Sequence, residues 1–268
     1  MDFLVVLAAQ AGVAAAAMAV TAYAARRAGR YSVVDTTWGL ALAAVALTAA
    51  VVGGLLDAGA PWRSWLIAGL VTIWGARLSW HMHRRNAGHG EDPRYAAMLE
   101  GTTPLQRVLK VWVTQGAAVV LVGLPATAAA VSSGGWGPLV PLGLALWLLG
   151  VSFEAIGDAQ LARFKADPAN RGRIMDRGLW AWTRHPNYFG DACVWWGVWL
   201  VSLTTWWSVA TIVAPLAMTY FLVFATGARL LEKHMAGRPG WADYAARTSF
   251  FVPLPPRRGS RRQLPEDR

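Results

Sequence analysis

Three long stretches of this 268-residue chain contain no Asp, Glu, Lys or Arg. They run from Phe3 to Ala25, from Val111 to Phe153 and from Ala192 to Ala228. Because about 20 apolar residues cross a bilayer as a helix, the first stretch fits one crossing and each longer stretch fits two. With 55% hydrophobic and 15% charged residues, the composition lies outside the range of ordinary soluble domains. We therefore predict an all-α integral membrane protein.

Gly, Pro, Ser and Trp residues separate the apolar runs and predict seven transmembrane helices. We place these spans near residues 3–25, 32–56, 62–83, 107–131, 138–162, 187–204 and 208–231. The segments after odd-numbered spans lie on one side, and they hold all 25 Lys and Arg residues except Arg63 and Arg77. The positive-inside rule therefore predicts a cytoplasmic C-terminus and an N-terminus outside the cytoplasm.

Residues 1–252 are predicted to form a single membrane domain, and residues 253–268 a basic cytoplasmic tail. The net charge of +10 does not indicate nucleic-acid binding, because the basic residues lie in loops between apolar runs. The single cysteine, Cys193, excludes an intrachain disulfide and a cysteine-based metal cluster. The first apolar run lacks a basic region before it and is too long for a signal peptide, so we interpret it as the first span.

Ionisable side chains inside apolar spans are costly, which makes them the first candidates for function. Asp35 lies in span 2, Arg77 in span 3, and Glu154 and Asp158 in span 5. Glu154 and Asp158 are four residues apart and project from one helical face. Two alternatives stay open. In the first, Glu154 and Asp158 only reach water near a helix end. In the second, which concerns Asp35 alone, this residue is a first-turn carboxylate that interacts with the helix dipole and Arg30.

Two basic loops contain side chains that are suited to binding a nucleotide. The loop after span 3 begins with His81, His83 and Arg84, and the loop after span 5 covers residues 171–191. Histidines two residues apart face different sides of a helix, which disfavours a zinc site. Arginine forks bind phosphates, and tryptophan stacks on bases. These loops predict a nucleotide-sized polar site at the cytoplasmic surface; the alternative is a basic loop that only determines topology.

The run Arg184-His185-Pro186-Asn187-Tyr188-Phe189-Gly190-Asp191 resembles a signature of membrane reductases and methyltransferases. It is shared by steroid 5α-reductases, sterol C14 and C7 reductases, and isoprenylcysteine or phospholipid methyltransferases. Other motifs resemble most closely the bacterial branch of unassigned function (DUF1295-type) that is placed beside the 5α-reductases. These are Val34-Asp35-Thr36-Thr37-Trp38-Gly39, Arg84-Arg85-Asn86 with Gly88, Gly90-Glu91-Asp92-Pro93-Arg94-Tyr95, and Glu232 with Tyr244 and Pro253. The resemblance covers nearly the whole chain.

The resemblance implies seven spans, an NADPH cavity open to the cytoplasm, and hydride transfer to the β-carbon of an enone. Asp35 stands where the reductases have a Glu in span 2, and His81 stands where they have a Tyr in span 3. These two residues are the expected catalytic pair, and no metal is expected. The expected cofactor-binding residues are Arg84, Arg94, Tyr95, Glu154, Asp158, Lys165, Arg173, Trp182, Arg184, His185, Asn187, Tyr188, Asp191, Glu232 and His234.

We therefore predict an NADPH-dependent oxidoreductase that reduces an activated C=C bond in a steroid- or isoprenoid-like substrate entering from the bilayer. Membrane lipids are the other expected partners; nucleic acid and an obligate protein partner are not expected. The expected location is a bacterial inner membrane, with the active site facing the cytoplasm. The alternatives are an S-adenosylmethionine-dependent membrane methyltransferase and a non-catalytic nucleotide-binding protein. The arginines favour NADPH, because it carries phosphates and S-adenosylmethionine carries none.

Overall fold

A computed structural model of the chain describes residues 1–135, 137–225 and 227–256. These residues form helices and loops without a β-strand, and an isolated bridge pairs Thr183 with Ser249. The prediction of an all-α protein is confirmed. Five helical segments are long and apolar enough to cross a membrane: Asp2–Ala28, Val33–Leu55, Pro104–Val122, Leu139–Ala166 and Trp206–Met235. Residues 257–268 of the predicted basic tail lie outside the described part.

The helices follow the predicted spans, with several interruptions. The N-terminal helices are α1 (Asp2–Ala28), α2 (Val33–Leu55), α3 (Pro61–Asn86) and α4 (Pro93–Leu99). Next come α5 (Pro104–Arg107), a π-helical turn (Val108–Val113), α6 (Thr114–Val122), α7 (Leu124–Ala130) and α8 (Leu139–Ala166). A 3₁₀ turn (Pro168–Asn170) precedes α9 (Leu179–Trp182) and α10 (Pro186–Ser202). The remaining elements are a 3₁₀ turn (Trp206–Ile212), α11 (Val213–Tyr220), a π-helical turn (Phe221–Ala225), α12 (Ala228–Met235) and α13 (Trp241–Arg247).

Two of the predicted spans, which correspond to α3 and α10, are not among the five apolar helices. Helix α10 has 17 residues, slightly fewer than the ~20 that cross a bilayer. Helix α3 carries Arg77 and ends in a polar run from His81 to Asn86. The predicted span 107–131 is divided between α6 and α7 at Gly123, two residues before Pro125. Proline lacks an amide N–H and so interrupts a helix at this place. The number of seven spans and the sides of the termini remain predictions.

The chain folds into two compact units. The first unit contains Met1–Leu144 and Gly197–Ala217, and the second contains Ala145–Trp196 and Met218–Arg268. Each unit contains one cluster of the polar residues that the sequence predicts to be functional.

In the first unit, α2 and α3 cross so closely that only glycine fits at the contact. A Cβ atom on Gly39 would lie 2.5 Å from the carbonyl oxygen of Gly75 and 2.9 Å from Oγ of Ser79. Because Gly39 follows Asp35 by one helical turn, this crossing places Asp35 at the level of the last turns of α3. The small residues thereby determine the position of the carboxylate.

Arg63 is a buried cation in the first turn of α3, and its side chain is 2% exposed. Its guanidinium group donates to the backbone carbonyls of Val201, Leu203, Gly134 and Gly135 at 2.6–3.4 Å. A buried charge is tolerated only when hydrogen bonds compensate for lost hydration, and four carbonyl dipoles do so here. Arg63, one of the two basic residues outside the predicted cytoplasmic segments, thus has a structural role.

Candidate functional site

Asp35 is bound by two side chains from α4. Its Oδ1 atom accepts a hydrogen bond of 2.7 Å from the Tyr95 hydroxyl, and its Oδ2 atom accepts one of 2.9 Å from Nη2 of Arg94. The Asp35 side chain is 16% exposed and Tyr95 is buried. Burial and the negative charge of Asp35 raise the pKa of Tyr95 well above its usual range, so the phenol stays protonated. The structure thus brings together Asp35, Arg94 and Tyr95, three of the predicted site residues.

Arg94 has a second carboxylate partner in Asp92. Its Nε and Nη2 atoms donate to the two oxygens of Asp92 at 3.0 and 2.9 Å, a forked arrangement with high geometric specificity. Asp92 also caps α4, because Oδ1 accepts from the backbone N–H of Arg94 at 2.9 Å. Burial raises the pKa of Asp92, but the hydrogen bonds from Arg94 outweigh this effect and hold that pKa below its usual range. The capped start of α4 therefore presents Arg94 and Tyr95 to Asp35 in a fixed geometry.

Glu91 is a residue of this cluster that sequence reasoning missed. Its carboxylate accepts from the backbone N–H groups of Tyr31 at 2.5 Å and Ser32 at 3.0 Å, just ahead of α2. A negative charge is favourable at a helix N-terminus, where the backbone amides carry a positive partial charge. Glu91 therefore fastens the loop before α4 to the start of the helix that carries Asp35. The available signal was a pair of acidic residues in an otherwise basic loop.

Asp35 lies in the first turn of α2, as the simpler interpretation of a first-turn carboxylate expects, but the structure does not pair it with Arg30. Nη1 of Arg30 instead donates to the backbone carbonyls of Asn86 and His89 at 2.8 Å each. Within the described ranges, the hydrogen-bond partners of the Asp35 carboxylate are Tyr95 and Arg94.

His81 lies near the level of Asp35 but on a different side of α3 from the contact with α2. Ser79 faces α2 at Gly39, and a residue two positions later projects from another side of the helix. The His81 side chain is half-buried, and Arg84 is exposed in the last turn of α3. The predicted catalytic pairing of Asp35 with His81 therefore stays a prediction, whereas Asp35 and Tyr95 are joined directly.

The second unit contains a polar patch along the contact between α8 and α10. Glu154 is 3% exposed, and Asp158 and Asp191 are also buried. A Cβ atom on Gly190 would lie 2.7 Å from the backbone nitrogen of Glu154, so the two helices approach very closely. Nδ2 of Asn187 donates to Oδ1 of Asp158 at 3.3 Å. Burial of both α8 carboxylates contradicts the alternative in which they simply reach water.

Arg184 forms a closed set of hydrogen bonds with residues near the C-terminus. Nε and Nη2 donate to the Glu232 carboxylate at 2.5 and 3.3 Å. Nη1 donates to the carbonyls of Ala245 at 2.9 Å and Thr248 at 2.6 Å, and the backbone N–H donates to Ser249 at 2.9 Å. All three guanidinium nitrogens are therefore used within the protein.

His185 is buried beside this ion pair, with its side chain 1% exposed. Its Nε2 atom lies 3.2 Å from Oε1 of Glu232, and its ring stacks on Tyr188 with centroids 5.6 Å apart. An edge of Phe250 closes the other side at 5.5 Å. Because burial disfavours the charged form, the pKa of His185 falls to about 4. His185 is thus neutral at pH 7.

The sequence from residue 22 to residue 248 matches the family described as "Protein of unknown function (DUF1295)". The chain belongs to this family. It is the steroid 5α-reductase-like group, so the resemblance inferred from the motifs is confirmed. No curated protein and no solved structure matches the chain. The matched range, residues 22–248, includes every residue named above in the polar clusters of the two units except Ser249 and Phe250.

The other predicted cofactor residues of this DUF1295 protein lie at its surface. Arg84, Lys165, Arg173, Trp182 and His234 are all exposed. Nδ1 of His234 lies 2.8 Å from the carbonyl of Leu230, one turn earlier in α12. In the described part of the chain, no group of three or more His, Cys, Asp or Glu residues is arranged to hold a metal ion. Cys193 is buried.

Burial of neutral His185 predicts that the protein loses stability in acid. The folded-state pKa of about 4 lies below the unfolded value of 6.5, so the unfolded chain binds the proton more tightly. The stabilising effect of neutral His185 on the folded state is fully present above pH 6.5. It is lost as the pH falls towards 4, where the free energy of unfolding is lower by about 3 kcal/mol. Thermal unfolding in detergent between these pH values measures it. His185→Gln should flatten this pH dependence, and exposed His89→Gln should not; equal curves for all three proteins would contradict the assignment.

Proposed function

We propose that this protein is an NADPH-dependent reductase of an activated C=C bond in a lipophilic, steroid- or isoprenoid-like substrate. The observation that carries the proposal is the hydrogen bond between Tyr95 and Asp35 at the end of an apolar helix, with Arg94 holding the same carboxylate. Such a pair suits a reaction in which a carbonyl oxygen gains negative charge, because hydrogen-bond donors are strongest where water is excluded. Membership of a 5α-reductase-like family supports the same chemistry.

Reduction of an enone requires a hydride at the β-carbon and a proton for the resulting enolate. NADPH supplies the hydride when it is bound. We assign the hydrogen bond to the enolate oxygen to the hydroxyl of Tyr95, since Tyr95 retains its proton at neutral pH. In the reaction this hydroxyl turns from Oδ1 of Asp35 to the substrate oxygen, and the Asp35 carboxylate, which can only accept, orients the phenol. Arg94 binds two carboxylates, so we assign it a positioning role rather than a contact with a cofactor phosphate. His81 is the second candidate for the proton donor.

The second unit offers groups that fit the polar parts of NADPH. Glu154, Asp158 and Asp191 are acceptors for ribose hydroxyls, and Asn187 provides an amide that can pair with the nicotinamide carboxamide. Arg173, exposed in the loop between α8 and α9, provides a cation for a phosphate. S-adenosylmethionine has no phosphate, so this cation favours NADPH. By the positive-inside rule, we place these groups on the cytoplasmic side of a bacterial inner membrane.

Calorimetry on the detergent-purified protein tests the proposed cofactor. NADPH is expected to bind, and Arg173→Ala to weaken it about tenfold, the loss of one charge-assisted hydrogen bond. Arg171→Ala is the matched control, because Arg171 is an exposed arginine of the same loop that we do not assign to the cofactor. Binding of S-adenosylmethionine without NADPH would establish the methyltransferase alternative. Binding of NADPH without turnover of any enone would leave the non-catalytic nucleotide-binding alternative. Absence of any nucleotide, in calorimetry and in mass spectrometry of the purified protein, would overturn the proposed cofactor.

A further inference from the structure

A long groove in the first unit runs between α1 and the segment formed by α5, its π-helical turn and α6. Its volume is about 1240 Å³, larger than the ~300–1,000 Å³ of pockets for ordinary small molecules. Small side chains create the space, because Ala11, Ala15, Ala19 and Ala22 line one wall and Gly116 lies on the other. A groove with walls of this kind accommodates a flexible apolar chain.

The two walls run in opposite directions, so one end of the groove differs chemically from the other. Leu7 and Leu124 lie at one end of the groove, whereas Arg26, Arg30 and Arg107 lie at the other end. Leu7 and Arg26 are 19 positions apart in one helix, which corresponds to roughly 28 Å, close to the thickness of a bilayer core. The groove therefore extends along the membrane normal, with apolar walls and a basic end.

Two arginines at this end are oriented by bonds that leave part of each guanidinium group available. Nη1 of Arg30 donates to the carbonyls of Asn86 and His89, and Nε of Arg107 donates to the Thr102 hydroxyl at 3.3 Å. Among the residues that the structure describes, their other N–H groups donate to no protein acceptor. Oriented donors of this kind bind the oxygens of a phosphate.

Among the described residues that line the groove there is no Asp or Glu, so the three arginines have no described counter-charge within it. We propose that the groove binds an anionic membrane phospholipid, with an acyl chain along the alanine wall and the phosphate between Arg26, Arg30 and Arg107. A neutral sterol would leave the three cations unneutralised, and a zwitterionic lipid would bring its own cation next to them. Tyr31, stacked on Trp112 with centroids 6.0 Å apart, closes the head-group end. This lipid site does not depend on the proposed reductase activity.

Native mass spectrometry of the protein in micelles with equal parts of phosphatidylglycerol and phosphatidylcholine tests the site. Phosphatidylglycerol should be retained in preference, and Arg26→Gln or Arg107→Gln should each lower that preference about fivefold, the contribution of one arginine at a lipid surface. Arg27→Gln is the matched control, because Arg27 is the exposed neighbour of Arg26 and does not line the groove. It should leave the preference unchanged.

A second pair of variants tests whether the lipid chain occupies the groove. Ala19→Phe fills the apolar part and should reduce the retained lipid at least severalfold, whereas Val20→Phe, on an exposed position outside the groove, should not. Equal retention of the two lipids by the unmodified protein would overturn the proposal, as would equal effects of Arg26→Gln and Arg27→Gln. Binding of inorganic phosphate alone, with retained lipid unaffected by Ala19→Phe, would identify a free anion as the ligand and also overturn it.

Discussion

Replacing Tyr95 by Phe is expected to lower the rate of NADPH-dependent enone reduction about 10²- to 10³-fold. The substitution removes one hydroxyl, which donates to Oδ1 of Asp35, and keeps the ring that packs in the protein. Because the hydroxyl is proposed to donate to the enolate oxygen, where negative charge develops only in the transition state, the affinity for NADPH should change little. Turnover against a panel of enones and calorimetry with NADPH measure the two quantities separately.

Asp35→Asn tests the other half of the pair. It keeps the size of the side chain and removes its charge, so it separates a requirement for the carboxylate from a requirement for packing. Residues that act as one catalytic unit give non-additive effects, and the double variant should therefore be little slower than either single variant. Tyr23→Phe, at an exposed position of α1, is the matched control and should turn over at the normal rate. Normal turnover by Tyr95→Phe together with a large loss in His81→Phe would make His81 the proton donor, as the family resemblance implied.

The transmembrane helices were predictable where hydrophobicity alone determines them. Helices α1 and α2 match the predicted spans within a few residues, because a long uncharged run has few alternatives in a bilayer. The division of one predicted span at Gly123 had a sequence signal in Pro125, which the hydropathy pattern alone does not use. The π-helical turns were not predictable, since such turns depend on tertiary packing. The close crossing of Gly39 and Gly75 was likewise hidden, because a hydropathy pattern does not show which glycines touch.

The residues of the candidate site were easier to predict than their pairing. Asp35 stood out because a carboxylate inside an apolar span is costly. Its bond to Tyr95 joins positions 60 residues apart and depends on how the loop before α4 folds back. A motif gives no information on that path, so the resemblance led to His81 instead. In the same way, the partners of Arg184 at Ala245 and Thr248 are backbone carbonyls, which carry no sequence signal.

The second large effect is expected at Arg184, and it concerns stability. Arg184→Leu removes the cation that Glu232 binds and leaves the carbonyls of Ala245 and Thr248 without their donor. Loss of one partner from a largely buried ion pair costs about 3–5 kcal/mol. For a chain of this size, that corresponds to a fall of roughly 10 °C in the unfolding temperature. Arg177→Leu, at an exposed position of the preceding loop, is the matched control and should shift it little.

A double variant separates this structural role from the cofactor role that the signature motif implied for Arg184. Replacing both ionic partners with apolar residues removes the uncompensated charge, so Arg184→Leu with Glu232→Leu should be more stable than Arg184→Leu alone. A residue that binds NADPH through a phosphate would behave differently, because its loss would weaken the nucleotide about tenfold and leave unfolding without ligand nearly unchanged. That second pattern would contradict the structural assignment. The hydrogen bonds of Arg184 favour the structural role, since its guanidinium nitrogens already bond to Glu232, Ala245 and Thr248.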